Sequence, residues 1–148
     1  MSRIIFHIDV NSAFLSWTAV DRLKKGEPTD LRTIPSIVGG DRNSRHGIVL
    51  AKSTPAKKYG IVTGEPIGMA LQKCPELVCV PPDFPLYSQN SKKMFEILSD
   101  YSDRIEQFSI DEGFLDYTGM ERLLGPPLET AEKIRKRIQK ELGFTVNI

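Results

Sequence analysis

Apolar and polar positions along the chain switch between the two-residue rhythm of strands and the wider spacing of helices. Arg3 to Asp9 (RIIFHID) predicts a short strand buried in the middle of a sheet. Asn11 or Ser12 can cap a following helix that runs to about Lys25, where Gly26-Glu27-Pro28 breaks it. Pro35 to Gly39 and Gly47 to Lys52 predict a strand pair around a polar turn, Gly40-Asp41-Arg42-Asn43-Ser44-Arg45. Ser53-Thr54-Pro55 opens a short helix with a hydroxyl cap and a proline in its first turn, and Gly60 closes it. Ile67 to Lys73 predicts another short helix, and Leu77 to Val80 a strand that ends at the turn Pro81-Pro82-Asp83-Phe84-Pro85. Tyr87 to Tyr101 has helical spacing, with Met94, Phe95, Leu98 and Tyr101 on or near one face. Arg104 to Ser109 and Gly113 to Tyr117 predict strands meeting at Ile110-Asp111-Glu112. Leu128 to Leu142 predicts a helix, and Thr145 to Ile148 the start of a strand. The order is a first strand, an insertion of short elements from about Ser12 to Val80, and then a β-α-β-β-α-β pattern. That mixture predicts an α+β sheet with helices on one face.

The bulk numbers narrow the class. At 148 residues, 40% hydrophobic and 26% charged, the chain is a folded protein of one domain or two small lobes. A net charge of +1 carries no electrostatic footprint of nucleic-acid binding. Two cysteines, Cys74 and Cys79, and two histidines, His7 and His46, argue against a disulfide framework or a zinc site. The N-terminal apolar run is too short and interrupted for a signal peptide or membrane span, so the expected location is the cytoplasm, without membrane contact. The sequence stops on the apolar, β-branched stretch Gly143-Phe144-Thr145-Val146-Asn147-Ile148, whereas natural termini are polar and frayed. The expectation is a piece cut from a longer protein.

Three places carry chemistry. Asp9 ends an apolar strand, where a carboxylate is costly unless paired, hydrogen-bonded or bound to a metal; by itself it reads as a helix cap. Asp111 and Glu112 sit where two strands turn, and by themselves read as a solvated hairpin tip. Together, carboxylates at neighbouring strand ends suit a pair of Mg2+ ions about 4 Å apart, clamping the attacking and leaving oxygens of a phosphoryl transfer. The third place is Lys52-Ser53-Thr54-Pro55-Ala56-Lys57-Lys58-Tyr59, which reads as a phosphate cradle at a helix N-terminus or as a capped, solvated basic helix.

The runs Ile8 to Phe14 (IDVNSAF), Ala51 to Ile61 (AKSTPAKKYGI), Gly64 to Ala70 (GEPIGMA) and Phe108 to Asp116 (FSIDEGFLD) resemble the Y-family translesion DNA polymerases, in that family's order and over essentially the whole chain. The bacterial DNA polymerase IV type is the branch they resemble most. The resemblance implies a ferredoxin-like palm, from 1 to 11 and 81 to 148, with small fingers inserted at 12 to 80. A thumb, a little finger and a further palm lysine would follow Ile148. It implies template-directed deoxynucleotidyl transfer for lesion bypass, with primer-template DNA, a dNTP and two Mg2+ ions. A sliding clamp would be reached through a segment beyond Ile148.

Residue by residue, the resemblance makes Asp9, Asp111 and Glu112 catalytic. Asp9 and Asp111 would hold both metals, Glu112 would complete the site, and the Val10 carbonyl would be a further ligand. Val10, Asn11, Ser12, Ala13, Phe14, Thr54 and Lys57 would contact the nucleotide. Phe14 matches the steric-gate aromatic that leaves no room for a 2′-hydroxyl. Thr54 and Lys57 stand where the family commonly carries tyrosine and arginine. Threonine reaches less far and lysine makes no bidentate phosphate contact. Asn11 replaces a frequent aspartate.

Without its missing parts the chain is expected to bind metal and nucleotide weakly and not to polymerise. Two other readings stay open: a palm-type nucleotide cyclase, and a non-catalytic accessory paralogue in a mutagenesis complex. Lys133, Arg135, Lys136, Arg137 and Lys140 are read as a solvated helix face rather than a DNA grip, and Trp17 as core rather than a base-stacking platform.

Overall fold

A computed structural model describes residues 2–40 and 47–148. In chain order the elements are β1 (Ile5–Val10), α1 (Ala13–Lys24), a 3₁₀ turn (Leu31–Thr33), β2 (Ser36–Val38), β3 (Ala51–Lys52), α2 (Thr54–Lys57), α3 (Ile67–Lys73), β4 (Val78–Val80), α4 (Phe84–Leu98), β5 (Ile105–Ser109), β6 (Glu112–Asp116), α5 (Glu121–Leu124), α6 (Pro127–Leu142) and β7 (Val146–Asn147). The chain divides into two compact units, Met1–Asn11 with Tyr87–Ile148, and Ser12–Leu86.

The first unit is a four-stranded sheet in the order β5-β6-β1-β7, antiparallel at each pairing. With α4 from Tyr87 onward and α6 it forms the β-α-β-β-α-β arrangement of a ferredoxin-like fold, and the second unit is inserted after β1 and includes the first three residues of α4. The α+β class expected from the pattern is the class observed. Alternation along the strands sorts the two faces. Phe6, Ile8 and Val10 of β1, with Leu115 and Tyr117, are buried on one face with Met94, Leu98, Ile134 and Ile138 from the helices. Full burial of each such aliphatic side chain contributes about 1.5–3 kcal/mol. The ring of Phe6 stacks on Tyr117 at 4.8 Å, and the Tyr117 hydroxyl shares a 2.9 Å hydrogen bond with Thr130 Oγ1 of α6. Ile5, His7 and Asp9, with Glu112, Phe114 and Asp116, lie on the opposite face, which is more open.

Gly113 shows how closely α4 presses on the sheet. A Cβ there would fall 2.6 Å from Phe95 Cε1 and 3.1 Å from the Glu106 carbonyl oxygen. Gly113→Val is therefore expected to destabilise the chain by about 2–3 kcal/mol through overpacking. Denaturant unfolding checks this; an unchanged midpoint would contradict the packing described.

The second unit has a three-stranded sheet in the order β3-β2-β4, antiparallel at β2–β3 and parallel at β2–β4. Helix α1 buries Ala13, Leu15, Ser16, Trp17, Thr18, Ala19 and Val20. One apolar cluster gathers Leu15, Ala19, Leu31, Val38, Ala51 and Val80, and a second gathers residues of α2 and α3 around Ile37 and Leu77. Trp17 is core, as read from the sequence.

Several expected boundaries move. Helix α4 starts at Phe84, three residues before Tyr87, because a first-turn proline costs nothing at Pro85 and Asp83 Oδ1 accepts the Leu86 amide at 3.2 Å. It ends at Leu98, so Tyr101 lies beyond it. The expected strand pair shrinks to Ser36–Val38 and Ala51–Lys52, and Ile48 makes only an isolated bridge to Pro66. Most of the polar turn between them, Asp41 to Arg45, lies outside the described residues. Neither candidate for the α1 cap acts through its side chain. Ser12 lies in the left-handed region (φ 45°, ψ 56°) with no side-chain cap bond, and contributes its carbonyl to the Ser16 amide at 2.8 Å. Asn11 is held by β7 instead: its amide reaches the Thr145 carbonyl at 3.0 Å, and its side chain bonds Thr145 and Asn147. Sheet pairing thus runs one residue past β1, and the left-handed Ser12 follows it directly.

Candidate metal and nucleotide site

β1 brings Asp9 to the end of a central strand because its apolar residues anchor it on the covered face. In the antiparallel pairing with β6, Asp9 stands directly opposite Glu112. Side chains so paired share a face with Cβ atoms about 5 Å apart. Asp111 precedes Glu112 in the β5–β6 turn, and its carbonyl accepts the Val10 amide at 3.0 Å, which fixes the turn against β1. Asp9, Val10, Asp111 and Glu112 are therefore brought together. The electrostatics agree: burial, then the nearby charges of Asp111 and Glu112, hold the Asp9 carboxyl above its ordinary range, against a smaller opposing effect of His7.

Two partners in this group were not anticipated from the sequence. His7 Nε2 lies 2.5 Å from Glu112 Oε1, and its ring stacks on Phe114 at 4.8 Å. Ser109 Oγ donates to Asp111 Oδ1 at 2.8 Å. The signal for His7 was its i−2 spacing from Asp9, which puts both on one face of the strand. Among the described residues no three Asp, Glu, His or Cys side chains form a ready metal cage as they stand. The donor set nonetheless fits a hard divalent cation: the carboxylate and carbonyl oxygens are the ligand type Mg2+ takes, and a cation would relieve the crowding that raises Asp9.

That crowding has a measurable consequence. A carboxyl raised in the fold contributes stability below its unfolded pKa and loses it as pH rises through the folded value. At neutral pH the ionised Asp9 is therefore a liability in the metal-free chain. Asp9→Asn is expected to melt at a higher temperature than the parent at pH 7, with the gap closing below about pH 4. A lower melting temperature at pH 7 would contradict the crowding.

The remaining candidate residues belong to the second unit. Phe14 is half-buried on α1, its ring edge-on to Phe84 (centroids 5.8 Å, interplanar angle 84°) and tilted to Trp17 at 6.3 Å. Ala13 is buried and Ser12 exposed. Thr54 and Lys57 are exposed on α2, a helix of four residues. The Ser53 hydroxyl is committed to the fold: it accepts the amides of Ala56 and Ser36 and donates to the Ile34 carbonyl at 2.7 Å. It caps α2 as expected, but as a phosphate donor it is already spent. On the basic face of α6, Arg135 and Lys136 pair with Glu132, and Arg137 with Glu141 and Asp100. No helix among the described residues is long and apolar enough to cross a membrane.

The family model described as IMS, the impB/mucB/samB family, matches residues 8–148. The chain belongs to that family. Among curated impB/mucB/samB relatives, the DNA polymerase IV of Clostridium acetobutylicum is 55% identical over all of this chain, which covers 37% of that protein. The DNA polymerase IV of Acetivibrio thermocellus is 43% identical, again over all of this chain and 36% of the relative. The chain thus spans a little over a third of the length of these curated relatives. Among solved structures, a Y-family DNA polymerase chimera, Dbh-Dpo4(243-245)-Dbh, superposes with a TM-score of 0.82 at 28% identity, covering 96% of this chain and 40% of the other. The match covers the ferredoxin-like sheet together with its inserted unit.

Proposed function

We propose that this chain supplies the catalytic centre of a Y-family DNA polymerase that bypasses template lesions, transferring a deoxynucleotide to a primer 3′-hydroxyl. The observation that carries the reading is the register of β1 against β6, which sets Asp9 opposite Glu112 with Asp111 beside them, in a chain of this family. The first unit is read as palm and the second as fingers.

Asp9 and Asp111 would hold two Mg2+ ions, with Glu112 and the Val10 carbonyl completing the set. Ions bound there would acidify the primer hydroxyl and neutralise charge on the triphosphate. Asp9 is suited to this because burial and neighbouring negative charge already disfavour its ionised form without a cation. Ser109 orients Asp111 by its hydrogen bond, and His7 orients Glu112. Asn11, Ser12 and Ala13, where the chain leaves β1 for α1, would meet the nucleotide together with Thr54 and Lys57. Phe14 would act as the steric gate against a 2′-hydroxyl. Primer-template DNA is the macromolecular substrate, the cytoplasm the expected compartment, and a sliding clamp a further partner.

The test is primer extension across an undamaged and a lesion-bearing template, by a polymerase of the relatives' full length carrying this chain, with Mg2+ and dNTPs. Template-directed extension is expected on both. Failure to extend either template, with the protein folded and bound to DNA, would overturn the reading.

A further inference from the structure

The aromatic pair within the second unit supports an inference that rests on the reading of Phe14 as the sugar gate. A gate that rejects one hydroxyl has to hold its ring in place to within a fraction of an ångström, since a ring that yields makes room for the atom it should exclude. Phe14 sits at the start of α1, and its ring makes a T-shaped contact with the ring of Phe84. Phe84 itself is 52% exposed. Its backbone is held firmly: it follows Pro81-Pro82, precedes Pro85, and opens α4 under the Asp83 carboxylate, which accepts the Leu86 amide.

Behind Phe84 is open space. A cleft of about 530 Å³ is lined by Phe84 with Thr18, Asp21, Val80 and Pro82, among others, and Phe14 is not among its lining residues. Thr18 lies one turn along α1 from Phe14, its hydroxyl donating to the Phe14 carbonyl at 2.8 Å. Phe84 thus borders both the gate's ring and a cleft into which that ring could lean. We propose that Phe84 is a positioning residue for sugar selection: its ring backs Phe14 and keeps it from retreating when a ribonucleotide enters.

The test measures insertion of a deoxynucleotide and of the matching ribonucleotide, as kcat/KM, in a full-length polymerase carrying this chain. Phe14→Ala is expected to lower the preference for the deoxynucleotide by about 100-fold. Phe84→Ala is expected to lower it about three- to tenfold, through faster ribonucleotide insertion, the size of effect an edge-to-face aromatic pair carries. The double variant is expected to match Phe14→Ala alone, because Phe84 acts only through Phe14. Phe84→Tyr, which keeps an aromatic ring, should keep the parental preference; Phe84→Leu should not, and it serves in place of alanine if that variant fails to fold. A merely structural role would slow both insertions in parallel and leave the preference unchanged. An unchanged preference in Phe84→Ala and Phe84→Leu beside a relaxed Phe14→Ala overturns the proposal, as does full additivity in the double variant. An unchanged preference in Phe14→Ala itself removes the gate reading and this inference with it.

Discussion

Asp111→Ala is expected to lower kcat/KM for primer extension by at least about 1,000-fold while leaving the fold intact. The loss is large because Asp111 would serve both metal ions, and the transfer relies on positioning and charge stabilisation rather than on covalent chemistry from the protein. The fold should be indifferent. Asp111 is partly exposed in the β5–β6 turn, and its carboxylate accepts one local bond, from Ser109. The link between the turn and β1 runs through its backbone carbonyl, which alanine keeps. Surface changes of this kind stay within about 0.5 kcal/mol. Asp103→Ala, at a side chain 97% exposed, is the control for loss of a negative charge outside the site and should extend primers like the parent. Steady-state extension and a thermal melt on the same preparations check both halves. Activity within tenfold of the parent would contradict the role given to Asp111 at the metal site.

Trp17→Ala should produce the largest loss of stability. Trp17 is fully buried on α1, on the side of the helix away from Leu15 and Ala19. Truncating a buried aromatic costs about 3–5 kcal/mol, a large share of the roughly 5–15 kcal/mol that holds a domain together. For a chain of this size that corresponds to a fall of about 10 °C in melting temperature. Phe14, whose ring leans on Trp17, would lose a support as well. Circular dichroism melts of the chain check the expectation. A base-stacking tryptophan would give the reverse: an unshifted melt and weaker DNA binding.

The parts of the structure legible in the sequence were those written as periodicity. The apolar run before Asp9, the paired strands around Ile110-Asp111-Glu112 and the amphipathic helix after Pro127 each carry their own hydrophobic rhythm, and each appears within a residue or two of its expected place. Together they were enough for the α+β class. What was not legible depends on pairing across long sequence separations. Nothing local says that Asp9 faces Glu112 and not its neighbours, since a slip of one residue would send every side chain to the other face. The left-handed Ser12 follows from Asn11 being claimed by β7, more than 130 residues away. The same holds for Ser53, which reads as a free helix cap yet is bonded to Ile34 and Ser36. Gly113 reads as an ordinary strand glycine until Phe95 is seen against it. His7 stood two residues from Asp9 throughout, but only the strand pairing brings it to Glu112.

The most direct measurement is the anomalous scattering of Mn2+, used in place of Mg2+, in crystals of a full-length polymerase carrying this chain with primer-template DNA and a non-hydrolysable dNTP. The prediction is two peaks within about 2.2 Å of carboxylate oxygens of Asp9 and Asp111, with an oxygen of Glu112 or the Val10 carbonyl completing the set. Well-ordered nucleotide with manganese bound away from Asp9 and Asp111, or bound to neither, would contradict it.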